Sequence, residues 1–292
     1  MLYKFINRLF MVMLTGILFS CTNTGTKKKV TIAYVNWAEG NAMTQLSKVL
    51  LEREGYTVEL KNADVAPVFA AVARGDADMF LDSWMPVTHK DYMEKYGSEL
   101  EVSGINFNHA QIGFVVPDYV NINSIVELNS NASLFDHKII GIDAGAGIMN
   151  KAELAVKNYN LKLELQSSSE AAMLAILKKS IDKKQAVVVT GWSPHYMFSN
   201  FKLKFLKDPK AAFGSIEKIQ TISNKKFAVS NPMVASFFRN FQLDEEQLGS
   251  LMAALEGTNE ERTAVEGWLN RHQDFSRNMS SFLKTSSSKE DM

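Results

Sequence analysis

The amino-acid sequence reads as an α/β protein laid down in two successive series. From Val30 onward, short β-rich runs alternate with amphipathic helical stretches. Gly55 and Gly75 close helical stretches just ahead of β-rich runs, and a second strand–helix series begins after Pro117. Strand, helix, strand, helix at this pace predicts a mostly parallel sheet with crossover helices.

The first strand is expected at Val30 to Val35, followed by a helix over Asn41 to Glu54 and a strand over Tyr56 to Leu60. Pro67 to Arg74 repeats the helical period before Asp78 to Leu81. The run Ile112 to Pro117 leads into the second series. Its strands are Lys138 to Asp143, Leu161 to Gln166 and Ala186 to Thr190, and its helices are Ile148 to Tyr159 and Ser169 to Asp182. A further strand, Ile216 to Ile222, follows Asp208-Pro209. The remainder is helical at Pro232 to Asn240, Asp244 to Leu255 and Asn259 to His272. The polar, Ser-rich end over 284–292 reads as a disordered tail. Two α/β series fit either beads on a string or a second lobe inserted into the first, and the pattern alone allows both.

At 292 residues the chain suffices for one large domain or two small ones, each with a core. With 46% hydrophobic and 22% charged residues, it is too apolar to be disordered throughout and too interrupted to be a multi-span membrane protein. Its 32 basic and 32 acidic side chains cancel, and the one dense basic run is Lys27-Lys28-Lys29, which argues against nucleic-acid binding. A single cysteine excludes a disulfide framework.

Lys4 and Arg8 precede an apolar stretch, Leu9 to Phe19, that is too short to span a bilayer but suits a signal peptide over 1–20. It ends Leu18-Phe19-Ser20-Cys21, which resembles the lipobox of bacterial lipoproteins. Cys21 is then the lipidated membrane anchor, and 21–29 a solvated tether. An ordinary signal peptide with an incidental cysteine is the plainer alternative, but this one cysteine sits where a lipobox requires it. Such a protein is exported and works at the cell envelope, facing the periplasm or the cell exterior. That location argues against a need for ATP or a cytosolic cofactor.

Four tryptophans are present, and three share a setting. Trp37, Trp84 and Trp192 each come just after a β-rich run, and ligands of open parallel sheets bind beyond the carboxyl ends of strands. Any one of them could simply plug the sheet edge. Three in equivalent places point instead to one cleft. Trp268, in a helical run with Val265 and Leu269, reads as core. Pro86 and Pro194, two residues after Trp84 and Trp192, are expected to fix the chain before new helices. Indole faces attract a cation, best of all one that sheds water cheaply, such as a quaternary ammonium, at ~1–2 kcal/mol per desolvated contact.

An anionic end has its own candidate. The strand Lys138 to Asp143 runs into Ala144-Gly145-Ala146-Gly147-Ile148, where amides at a Gly-rich helix start suit a carboxylate or phosphate. The glycines alone fit a tight turn without ligand equally well. A dinucleotide fingerprint fails, because Asn150 stands at the third glycine position. His89 and His195 lie near Trp84 and Trp192 and are able to donate to a carboxylate, though each taken singly suits packing. No H-E-x-x-H and no second cysteine offer a metal site, and no cofactor is expected.

Together, four segments resemble the glycine betaine-binding proteins of osmoprotectant ABC importers. They are Val35 to Gly40, Asp82 to His89, Gly141 to Met149 and Thr190 to His195, in the family's order, within a likeness running from about Val30 to about Leu255. The resemblance implies a two-lobed periplasmic-binding-protein fold of type II, with the second lobe inserted and a hinged cleft between lobes. Lobe 1 would comprise 30–114 and 218–277 and lobe 2 115–217, with crossings near Ile112 to Pro117 and Ile216 to Ser223. It implies that Trp37, Trp84 and Trp192 box the trimethylammonium, that the amides of Gly147 and Ile148 with His89 hold the carboxylate, and that His195 supports them from behind.

Tyr196 stands where many relatives carry another tryptophan, and Asn41 replaces the usual apolar residue. Both bear on selectivity among betaines. The partners implied are a small zwitterion, an ABC permease and the membrane, and the implied role is binding rather than catalysis. Choline, carnitine or proline betaine is the alternative ligand. An exported hydrolase using His89 or His195 as a base is the rival class, weakened by the lack of a G-x-S-x-G elbow.

Overall fold

The computed structural model describes residues 28–284. The expected signal peptide, the Cys21 anchor, most of the tether and the tail after Lys284 lie outside the described residues. Lys29, assigned to the tether, instead opens the first strand, where its Nζ lies 2.6 Å from Glu59 on the neighbouring strand.

β1 (Lys29–Tyr34) leads into α1 (Ala38–Arg53), which returns to β2 (Thr57–Asn62); α2 (Val65–Arg74) then leads to β3 (Met79–Met85). After α3 (Lys90–Tyr96) comes the 18-residue β4 (Leu100–Pro117). The second series holds β5 (Lys138–Ile140), α4 (Gly147–Asn158), β6 (Glu164–Gln166), α5 (Glu170–Asp182) and β7 (Val189–Ser193). The short α6 (Met197–Asn200) and β8 (Leu203–Phe205) close it. β9 (Glu217–Asn224) follows, with α7 (Lys225–Ser230), α8 (Pro232–Asn240), α9 (Glu245–Leu255), α10 (Glu261–Arg271) and α11 (Gln273–Ser281).

Local chemistry explains several of these bounds. The Ser169 side chain accepts from the Ala172 amide at the start of α5. Asp244 and Gln247 form a reciprocal capping box on α9, with bonds of 2.8 and 3.0 Å. Each such cap satisfies amides that the first helical turn leaves without partners.

The strands join in the order β2-β1-β3-β9-β4-β7-β5-β6, with β8 also on β4. The sheet is mixed rather than mostly parallel. β1, β2 and β3 pair in parallel, as do β5, β6 and β7, but β4 and β9 run antiparallel to their neighbours. These two strands carry the chain between the halves. β4 pairs with β9 through Ala110 and with β7 from Gln111 onward. Because α9, α10 and α11 pack on α1, and α8 on β4, the chain returns to its first half. The second series is therefore an insertion, not a second bead.

Antiparallel pairing also moves two of the tryptophans. Trp84 and Trp192 lie within β3 and β7, opposite Ile219 and Ile112, rather than beyond the strand ends. Pro86 and Pro194 lie ahead of α3 and α6, as expected. Trp268 is a core residue, as expected: fully buried, stacked on His272 at 3.9 Å, with its Nε1 donating to Ser250 Oγ at 2.9 Å. Trp268→Ala should cost ~3–5 kcal/mol of stability in urea denaturation, within the usual range for a buried aromatic, while leaving the cavity described below intact.

Candidate functional site

The sequence-predicted residues of both halves meet at one cavity. Trp37, Trp84, His89, Gly147, Ile148 and Trp192 line it, with Glu39, Thr88, Ile112, Ile142 and Ala146. The void among them is small, about 20 Å³. Its three indoles are at most 6% exposed.

Each ring is held differently. Trp37 occupies the residue ahead of α1 and stacks on His89, with centroids 6.0 Å apart and planes 14° apart. Its buried Nε1 has no partner among the described residues. Trp84 Nε1 donates to Asp82 Oδ1 at 2.7 Å. Trp192 Nε1 donates across the cleft to Glu39 Oε2, also at 2.7 Å. Both acids fall within the segments that carry the family resemblance, and no local signal in the sequence marks either for a role.

His89 is fixed by its own turn. Its backbone amide donates to the Trp84 carbonyl, and its Nδ1 accepts from the Trp84 amide, both at 2.9 Å. An accepting Nδ1 puts the ring proton on Nε2, which is buried without a partner among the described residues. Burial pushes this imidazole down to about 3, so at neutral pH it is an uncharged donor. Glu217 Oε2, at the start of β9, accepts from the amides of Val87 and Thr88 at 2.8 Å each, and the Thr88 hydroxyl donates to Oε1. The return strand thus grips the turn that carries His89.

α4 supplies the opposite wall. The amides of Gly147 and Ile148 fall in its first turn, where no intrahelical acceptor exists, and Ala146 provides no side-chain cap. Gly147 is required by packing, since a Cβ there would strike the Thr88 carbonyl. Tyr92 Oη donates to the Gly145 carbonyl at 3.1 Å, a second tie between the halves.

His195 does not line the cavity. It lies edge-on to Trp192 at 4.7 Å, accepts from the Met197 amide through Nδ1, and bonds Glu170 Oε1 through Nε2 at 3.0 Å. Glu170 Oε2 in turn accepts from the Ala38 amide at 3.2 Å, crossing to the first half. Buried acids accumulate here. Burial pushes Glu39 well above the usual carboxylate range, Asp82 and Glu170 reinforce this, and the Trp192 N–H opposes it. Burial likewise raises Asp82, the Trp84 N–H lowers it, and Glu170 raises it.

Residues 28–271 match the family described as the substrate-binding domain of ABC-type glycine betaine transport systems. The chain belongs to that family. The match extends past Leu255, where the sequence resemblance faded. A glycine betaine/carnitine transport binding protein, GbuC, of Listeria monocytogenes serotype 1/2a (strain 10403S) is 39% identical over 142 residues, 48% of this chain. That alignment spans about half the relative's length, 47%. Among solved structures, lactococcal OpuAC in its closed, glycine betaine-bound conformation aligns with a TM-score of 0.82 at 33% identity, covering 88% of this chain and all (100%) of that one. The glycine betaine/L-proline-binding protein ProX of Borrelia burgdorferi gives 0.83 at 31%, with coverage of 88% and 100%. The fold shared with these family members is the two-lobed one, the second lobe inserted into the first.

The neutral histidine has a thermodynamic signature. Below pH 6.5 an imidazole in the unfolded chain binds a proton that folded His89 refuses down to about 3, so acidification favours unfolding. Between pH 7 and 4 this amounts to roughly 3 kcal/mol. Glu39 and Asp82 act with the opposite sign, losing stability as pH rises above the ordinary carboxylate range. His89→Gln should therefore lose less stability than wild type between pH 7 and pH 4 in denaturant titrations. Parallel curves would mean that the imidazole is not held neutral.

Proposed function

We propose that this chain is the extracytoplasmic solute-binding component of an ABC importer, taking up glycine betaine or a related quaternary ammonium zwitterion for osmoprotection. The observation that carries the reading is the convergence of three buried indoles, a neutral imidazole donor and a helix start on one small cavity. In this reading Trp37, Trp84 and Trp192 enclose the methylated cation, while the amides of Gly147 and Ile148 and His89 Nε2 take the carboxylate. His195 backs Trp192. Three contacts of ~1–2 kcal/mol, with the anionic end added, approach the ~8 kcal/mol of a micromolar complex.

The ligand touches both lobes, taken as 30–114 with 218–277 and 115–217, so binding shifts the population toward the closed form that a permease reads. Relatives named for binding glycine betaine or carnitine support a betaine-type ligand. Membrane attachment through a lipid on Cys21 rests on the lipobox resemblance alone. Binding without turnover is the role assigned, and no residue is given a catalytic part.

Isothermal titration tests the reading. Trp84→Ala should weaken glycine betaine binding at least tenfold while the protein stays folded, since tenfold corresponds to about 1.4 kcal/mol. Choline, which keeps the cation but lacks the carboxylate, should bind more weakly than glycine betaine to the unaltered protein. An unchanged affinity in the variant removes the aromatic box. Tighter choline binding reassigns the helix start and His89, and hydrolysis of a betaine ester would favour the exported hydrolase.

A further inference from the structure

Two buried acids touch the box tryptophans, and nothing in the proposed ligand chemistry uses them. Asp82 is 1% exposed, as is Glu39, and neither forms a salt bridge among the described residues. Each gives one carboxylate oxygen to an indole N–H at 2.7 Å, Asp82 to Trp84 and Glu39 to Trp192. These lengths are at the short end of the N–H···O range.

From these bonds we infer that Glu39 and Asp82 are the positioning residues of the aromatic box, each fixing the plane of one tryptophan by accepting its indole N–H. The inference rests on the box reading above. An indole offers a cation only its face, so a rotation that swings the ring edge into the cavity removes the attraction. The N–H is the one directional handle on the ring. Anchoring it on a carboxyl oxygen leaves the faces to the ligand and keeps a polar donor from competing there.

The surrounding residues suit this role. Gly40 follows Glu39 in α1, and a Cβ at Gly40 would run into Asp82 Oδ2, so the glycine makes the room that Asp82 occupies. The segments Trp37 to Gly40 and Asp82 to Trp84 thus interlock. One brings a tryptophan, an acid for a distant tryptophan and a gap; the other fills the gap with the acid for its own tryptophan. Glu39 also acts across the cleft, because its indole belongs to β7 of the second half. Trp192 therefore takes its binding orientation only when the halves are together. Among the described residues Trp37 has no such acceptor, and it is held by stacking on His89 instead.

The test separates accepting a bond from merely filling space. Glu39→Gln and Asp82→Asn keep an acceptor oxygen, whereas Glu39→Leu and Asp82→Ala do not. On the full chain, glycine betaine titrations should find the amide variants within about threefold of wild type and the apolar variants weakened about tenfold or more, with Trp84→Ala as the control for the box itself. Indole N–H resonances, assigned through Trp→Phe variants, supply a readout that loss of stability does not move. The Trp192 signal should shift in Glu39→Leu and stay in Glu39→Gln, and the Trp84 signal should do likewise in the Asp82 pair. In the wild type both should exchange with solvent more slowly than that of Trp37, a measurement that needs no acid variant to fold. Apolar variants that bind at full affinity, amide variants that fall as far as the apolar ones, or indole signals indifferent to the acids would each overturn the assignment. Loss of binding in Trp84→Ala with full binding in Glu39→Leu and Asp82→Ala would sink this inference and leave the box standing; full binding in Trp84→Ala would sink the box.

Discussion

A tryptophan side chain has a π face that welcomes a soft cation and an N–H edge that, once buried, needs an acceptor. Gathering three indoles round one small void brings that constraint to the centre of the protein. Two of the edges end on carboxylates, and those acids must then be buried as well, which drives both toward protonation. A neutral acid still accepts through an oxygen, so the arrangement survives the loss of charge. Because Glu39 and Trp192 come from different halves, the bond that completes the wall also closes the cleft.

The other end of the cavity is built on backbone. β3 delivers Trp84, and the turn after it delivers His89, locked back onto Trp84 by reciprocal bonds. Glu217 holds the same turn from β9, the strand on which the chain returns to its first half. The Thr88 carbonyl leaves only a glycine's room at the start of α4. The site thus hangs on the crossing strands, and a relative movement of the halves must be felt at His89.

Much of this was legible in the sequence because its signals are local. Helix bounds near Ser169, Pro232 and Asp244 follow from capping chemistry within a few residues. The tryptophans stood out by repeating one setting, and the Gly-rich turn by its glycines and the helical period behind it. What stayed hidden depends on partners far along the chain. β4 and β9 pair across more than a hundred residues, so no window of sequence announces their antiparallel course, or that Trp84 and Trp192 lie within strands rather than beyond them. Glu39 and Asp82 look like solvated charges beside apolar neighbours. Their partners, an indole 153 residues away in one case, are visible only in three dimensions.

The polarity of the cavity follows from the same economy of charge. A full cation beside His89 would hold a carboxylate strongly, yet it would also repel a trimethylammonium a few ångströms away. Burial keeps the imidazole neutral, so it gives a hydrogen bond without a charge, and the first-turn amides of α4 add a partial positive potential of the same gentle kind. At the opposite wall Asp82 stays clear of the cavity, and Glu39, which borders it, turns one oxygen to the Trp192 N–H and is driven toward its neutral form by burial. A site made from dipoles at one end and ring faces at the other has no formal charge of its own to offer. It suits a solute whose two charges already neutralise each other, because the cost of burying it then falls on short-range contacts that only the right shape can make.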